Sequence, residues 1–193
     1  MHSIPVAVAK ERRPVPALPE VDGDESLALR LRGGDRSALA EIYRRHRRHL
    51  AGVVFRLMGD AVDLEDVVQE TFAAALEGIA GLREPASLKA WLVGIAVRRV
   101  RRRLRLRTLR RLVGMEIQRG ANLAYDPGLG VDVHALGEAL GRLAPRLRIP
   151  WVLHRVEGFS LPEVARAVGA SLATVKRRVA LAEQRIERRL HAG

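Results

Sequence analysis

Ser160-Leu161-Pro162-Glu163-Val164-Ala165-Arg166-Ala167-Val168-Gly169-Ala170-Ser171-Leu172-Ala173-Thr174-Val175-Lys176-Arg177-Arg178 reads as two helices joined by a sharp turn. Ser160 is a favoured N-cap, and Pro162 suits a first helical turn. Glu163 follows the serine by three residues, where its carboxylate reaches back to the cap backbone. Leu161, Val164, Ala165 and Val168 recur at helical spacing, and Gly169 turns the chain. Ser171 caps a second helix whose apolar stripe is Leu172, Val175, Val179, Ala182 and Ile186. A short helix, a glycine turn and a longer basic helix make a helix-turn-helix, with the small Ala165 where the two helices approach closely. In that geometry the start of the second helix enters the major groove of DNA. Ser171, Ala173, Thr174, Lys176, Arg177 and Arg178 are the exposed positions there. Arginine and lysine reach guanine edges or phosphates, and threonine reaches either a base edge or a phosphate.

The charge around this unit is uneven. The chain of 193 residues has 34 Lys+Arg against 22 Asp+Glu, a net charge of +12. Only three of the basic residues are lysines (Lys10, Lys89, Lys176), a skew that reflects genome base composition as much as function. Nine arginines and no acid lie between Arg98 and Arg111. Six acids and no base lie between Asp60 and Glu77. A second basic cluster runs from Lys176 to Arg189, with six bases against Glu183 and Glu187. Blocks of like charge at this scale mark interaction surfaces more often than a uniform coat does. The absence of cysteine excludes disulfides, thiolate metal sites and cysteine nucleophiles. No apolar run approaches the ~20 residues of a membrane span. A 48% hydrophobic, 29% charged chain of this basicity reads as soluble and points first to a nucleic-acid partner.

The rest of the chain reads as helical, with no strands. Residues 1–24, with four prolines, read as a disordered tail. Asp24 or Ser26 would cap a short helix over Leu27–Arg32. After Gly33-Gly34, Asp35 would cap a long helix to Met58 with Leu39, Ile42, Tyr43, Leu50, Val53, Val54 and Leu57 inward. Asp63 opens the next helix, with Val67, Val68, Phe72, Ala75, Leu76 and Ile79 on its buried side. Asp66, Gln69, Glu70, Ala73 and Glu77 fall on the other. Ser87 would cap a helix that carries Leu88, Trp91, Leu92, Ile95 and Ala96 before entering the arginine block. Residues 113–131 lose the pattern and read as a flexible linker, with room for some helix near Leu112–Gln118. Asp132 would cap a helix with Val133, Leu136, Leu140 and Leu143 inward, interrupted at Pro145. The fold class is therefore all-α: two small helical domains, over 25–112 and 132–193, joined by a flexible linker. His46 and His49 stand one helical turn apart, but the arginines around them repel a cation. No metal and no cofactor is expected.

The segment Asp63-Leu64-Glu65-Asp66-Val67-Val68-Gln69-Glu70-Thr71-Phe72 resembles the D-x-E-D-[LV]-[VA]-Q-E-x-F motif of bacterial sigma factors, most nearly the extracytoplasmic-function (ECF) class. Leu88–Ala96 is similar to that family's L-x-x-W-L-x-x-I-A stretch, Glu157–Ala165 to E-G-[LF]-S-x-x-E-[IV]-A, and Gly169–Arg178 to G-x-S-x-x-T-V-K-x-R. The resemblance implies a cytoplasmic promoter-recognition subunit that is not an enzyme and is monomeric when free. Asp63, Glu65, Asp66, Gln69 and Glu70 would dock on the basic clamp helices of core RNA polymerase. Arg83, Ser87, Lys89, Trp91, Arg98, Arg99 and Arg102 would meet the minus-ten element, with a base flipped into the loop Leu82–Lys89. Ser171, Ala173, Thr174, Lys176, Arg177 and Arg178 would read the minus-thirty-five element. An anti-sigma partner is implied as well. The chain departs from the family pattern at Val93-Gly94, Ala173 and Arg177, and at Pro150. An interior proline costs a helix about 3 kcal/mol, so a kink or a late helix start is expected there.

Two other functions compete. A stand-alone helix-turn-helix regulator would bind its operator without polymerase, usually as a dimer, and has no need of the acidic segment. An enzyme acting on nucleic acid would need a phosphate loop, an H-E-x-x-H helix or paired acids in a glycine-rich site, and the sequence has none.

Overall fold

The computed structural model describes residues 23–113 and 139–190. Expectations for 1–22, for the 114–131 part of the linker, and for Asp132, Val133 and Leu136 lie outside the described residues. Every regular element among the described residues is helical.

Helix α1 (Asp24–Arg32) begins one residue inside the expected tail. Its N-cap position is taken by Gly23, whose carbonyl accepts from Leu27 N at 3.0 Å. Asp24 is therefore not a cap. It lies in the acidic first turn, with its carboxylate 3.1 Å from Arg45 Nη1 and 3.0 Å from His46 Nε2. Helix α2 (Ser37–Met58) has Arg36 at its N-cap position, and the carboxylate of Asp35 just before it accepts from Ser37 N at 2.9 Å and from Ser37 Oγ at 2.6 Å. Those hydrogen bonds and the one from Arg30 hold the Asp35 carboxyl down at about 2.

Helix α3 (Leu64–Gly78) and helix α4 (Leu88–Leu112) pack against α2 as a three-helix unit, with α1 across its start. Ile42, Val54, Leu57, Val67, Val68, Leu92 and Ala96 are buried between them. Tyr43 meets Phe72 edge-on at 4.8 Å. Two short 3-10 turns, Ile79–Gly81 and Pro85–Ser87, carry the chain from α3 to α4. Ser87 takes the N-cap position of α4 as expected, but its hydroxyl makes no cap bond and donates to Glu84 at 3.1 Å instead.

The second half holds α5 (Pro145–Trp151), α6 (Leu161–Val168) and α7 (Leu172–Leu190). Pro150 sits inside α5 rather than delaying its start. The disturbance falls just after it, as a wide π-type turn over Val152–Val156 in which Glu157 N bonds Val152 O at 3.0 Å. A proline has no N–H to keep the regular ladder, and a wider turn re-satisfies the neighbouring groups. Ser160 and Glu163 form the capping box read from the sequence. Gly169 takes a left-handed φ of 57° between α6 and α7.

The two halves are packed together. Arg148, on α5, is only 3% exposed. Its Nε donates to Leu57 O at 3.0 Å and its Nη2 to Met58 O, the last carbonyls of α2. Its Nη1 reaches Leu140 O, Gly141 O and Leu143 O at 3.2–3.3 Å. One guanidinium thus satisfies orphan carbonyls at two helix ends. Burial without a touching carboxylate pushes its pKa down to about 10. Glu157, whose side chain is 4% exposed, lies 2.9 Å from Arg56 and 3.1 Å from His49 of α2.

Gly59 ends α2 at φ 78° directly over this arginine. A Cβ there would meet the Arg148 guanidinium. Gly59→Ala is therefore expected to cost about 2–4 kcal/mol, from left-handed strain plus a displaced buried arginine. Urea denaturation of the full chain measures it. The cost should shrink in the Arg148→Met background, where the obstacle is flexible and uncharged.

Candidate functional site

The acidic segment folds as read, with one difference. Leu64, Val67, Val68, Thr71, Phe72 and Ala75 face inward. Glu65, Asp66 and Gln69 are exposed along the opposite side, and Glu70 is half-buried beside them. Asp63 and Glu70, however, are already paired within the chain. Arg103 Nη2 donates to Glu70 at 2.6 Å, and Arg103 Nη1 lies 3.4 Å from Asp63. Arg107, 7% exposed, bonds Asp60 at 2.9 Å, Asp63 at 2.8 Å and the carbonyl of Val62. Burial opposes the charge on Arg107, and its bonds to Asp63 and Asp60 overcome this and push its pKa up. Asp63 takes a left-handed φ of 63°, which a non-glycine residue holds only when its surroundings fix it. Arg107 supplies that grip. The exposed part of the acidic row is thus Glu65, Asp66 and Gln69, on a helix whose start is pinned from α4.

The arginine block therefore has more than one face. Arg103 and Arg107 turn to the acids of α3 and of the turn before it. Arg101 donates to Ala167 O at 3.4 Å in the second half. Arg98 and Arg102, one helical turn apart, are exposed, and Arg99 is half-buried. Trp91, half-buried, lies seven residues before Arg98 on the same side of α4 and packs by Gly78. Arg83 and Lys89 are exposed at the loop that leads into α4, with Ser87 half-buried between them. The structure thus places the seven expected minus-ten residues on one helix and the loop before it.

The helix-turn-helix is built locally. Ala165 is 9% exposed at the approach of α6 to α7, and its carbonyl accepts from Ala170 N at 3.1 Å. Ser171 Oγ accepts from Thr174 N at 3.2 Å and donates to Thr174 Oγ1 at 2.8 Å, which caps α7. Ala173, Lys176 and Arg177 are exposed on α7. Thr174 and Arg178 are half-buried, and Arg178 looks toward α4.

Arg148, Arg107 and the Glu157 cluster were not singled out from the sequence. A signal for Arg148 existed: Leu147, Ile149, Pro150, Trp151, Val152 and Leu153 leave no polar face, and such a helix is buried all round. Among the described residues no cluster of His and acids suits a metal, and His46 and His49 turn to Asp24 and Glu157. No described helix is long and apolar enough to cross a membrane.

Residues 42–110 match the family Sigma-70 region 2, and residues 134–186 match Sigma-70, region 4. The chain is 32% identical over 171 residues to the RNA polymerase sigma factor NccH of Alcaligenes xylosoxydans xylosoxydans, covering 84% of this chain and 92% of NccH. It is 30% identical over 158 residues to the ECF RNA polymerase sigma factor SigM of Mycobacterium tuberculosis, covering 81% and 79%. The solved structure of CnrH with the cytosolic domain of CnrY is 29% identical, with a TM-score of 0.61 over 89% of this chain and 99% of CnrH.

Proposed function

We propose a division of labour for this chain, which belongs to the ECF class of RNA polymerase sigma factors. It is an alternative sigma factor: it binds core polymerase and directs promoter-specific initiation. Within it, residues 25–112 serve the polymerase and the minus-ten element, and residues 132–193 serve the minus-thirty-five element. The carrying observation is the exposed row Glu65, Asp66 and Gln69 on a helix pinned by Arg103 and Arg107. Fixed carboxylates and an amide suit a basic coiled coil, and Asp63 and Glu70 would exchange Arg103 for the clamp or hold the row in place. Arg83, Ser87, Lys89, Trp91, Arg98, Arg99 and Arg102 would take minus-ten DNA, the arginines meeting phosphates. Ser171, Ala173, Thr174, Lys176, Arg177 and Arg178 would enter the major groove. The chain carries out no covalent chemistry of its own and acts in the cytoplasm with the polymerase, as a monomer when free. An anti-sigma partner is part of the proposal, supported by CnrH having been solved with the cytosolic domain of CnrY.

The packed arrangement bears on this reading. The two promoter elements lie about 25 base pairs apart, which at ~3.4 Å each is ~85 Å. A compact chain of this length is only about 40 Å across. The halves must part for both elements to be read, and that breaks the Arg148 and Glu157 contacts. A DNA-binding comparison tests this. The free chain is expected to show no promoter-specific shift, and the chain with core polymerase to show one. A stand-alone regulator gives the specific shift without polymerase.

The groove assignments separate by variant. Arg177→Ala should change the preferred minus-thirty-five sequence at one or two positions, by about 1–3 kcal/mol each. Arg98→Ala should weaken all promoters alike and lower the salt slope by about one. Titrations of the assembled holoenzyme at several salt concentrations read both.

A further inference from the structure

Four arginines converge on a cleft of about 530 Å³ between α4 and the second half: Arg101 and Arg105 from α4, Arg146 from α5 and Arg178 from α7. No carboxylate lines the cleft among the described residues. Packing two halves so that cations face cations costs free energy unless something between them is negative. The strain shows at Arg101, whose pKa is pushed down by burial and then by Arg105 and Arg178. Arg105 and Arg146 are exposed at the rim, and Arg101 and Arg178 are half-buried. Guanidinium groups arranged in this way grip phosphate or carboxylate oxygens through paired N–H bonds.

The floor is different. Leu104, Ile149, Pro150 and Val168 line it, and Leu109 closes one side. All are aliphatic, and Leu109 is 58% exposed. The volume falls in the ~300–1,000 Å³ range of small-molecule sites. Bare phosphate would leave this apolar surface wet. An uncharged hydrocarbon would leave the arginines opposed.

We propose that this cleft binds an amphipathic anion, an aliphatic body with a phosphate or carboxylate head, that bridges the two halves and holds them together. Such a ligand binds the closed arrangement and not the parted one, so it shifts the population toward closure. The head can belong to a free acyl phosphate or fatty acid, or to an anionic lipid, and the chemistry of recognition is shared.

The test is calorimetry on the full chain with monomeric decyl phosphate, inorganic phosphate and decanol. Decyl phosphate is expected to bind with a stoichiometry of one, at least tenfold more tightly than either control. The double variant R105A/R146A should weaken it at least tenfold, and L109S several-fold, with helical content unchanged by circular dichroism. Phosphatidylglycerol vesicles form a second arm. Vesicle binding lost in R105A/R146A assigns the head to a lipid, and soluble binding alone assigns it to a free amphiphile; both support the proposal. It is overturned if inorganic phosphate binds as well as decyl phosphate, if many molecules bind per chain, or if neither variant weakens binding. It is also overturned if R105A/R146A weakens promoter DNA and decyl phosphate alike, which would make the cleft a nucleic-acid surface.

Discussion

Arg148→Ala is expected to lower the unfolding free energy of the full chain by about 3–5 kcal/mol, because it strands several buried carbonyls that cost about 1–3 kcal/mol each and share the relaxation around them. The substitution leaves Leu57 O and Met58 O without their donor at the end of α2, and Leu140 O, Gly141 O and Leu143 O without theirs before α5. It also opens a hole where the side chain ran, because its surroundings are packed. Arg148→Met fills the hole and removes a cation buried without a touching carboxylate, so its cost should be roughly half as large. Denaturant unfolding gives both numbers. Scattering should also show a larger radius for Arg148→Ala, because the bonds it loses join the two halves.

The second large effect concerns the acidic row. D66K/E70K should weaken association with core polymerase at least a hundredfold while α6 and α7 remain folded. Lys at 66 places a cation on the exposed face, and Lys at 70 also displaces Arg103, which now bonds Glu70 at 2.6 Å. A second variant, E65K/Q69K, changes only exposed positions and leaves Arg103 in place. A comparable loss in it shows that docking, and not a loosened α3, is responsible. Competition binding against a labelled sigma factor measures both variants, and circular dichroism of the same samples reports folding.

The legible parts of the fold are those set by near neighbours in the chain. The Ser160–Glu163 capping box, the Gly169 turn and the α3 stripe need only spacing and cap chemistry, and they stand as read. The same logic offers Asp24 or Ser26 for α1 and Ser87 for α4; Gly23 takes the first cap position while Asp24 turns to Arg45 and His46, and Ser87 takes the second but gives its hydroxyl to Glu84. The arginine block shows the limit most clearly. Nine arginines in a row of charge look alike in sequence. Only tertiary placement separates Arg107, clamped on Asp60 and Asp63, from Arg98 and Arg102 in solvent. The +12 charge is likewise a sum over an acidic face, a buried latch and two basic surfaces. The outward positions of α4 and α7 are legible because they follow from the buried ones, while their roles at the two promoter elements belong to the proposal. The bonds of Arg148 required knowing that α5 packs against the end of α2.

In the proposed function one chain carries a polymerase-docking face and promoter-reading helices. Its most direct measurement is a pull-down of purified core polymerase with the full chain, followed by mapping of transcript starts. The expected result is a one-to-one complex that starts transcription at discrete promoters, with both properties lost in D66K/E70K and only the starts altered in Arg177→Ala. A chain that binds DNA specifically yet neither associates with core nor yields discrete starts would contradict it.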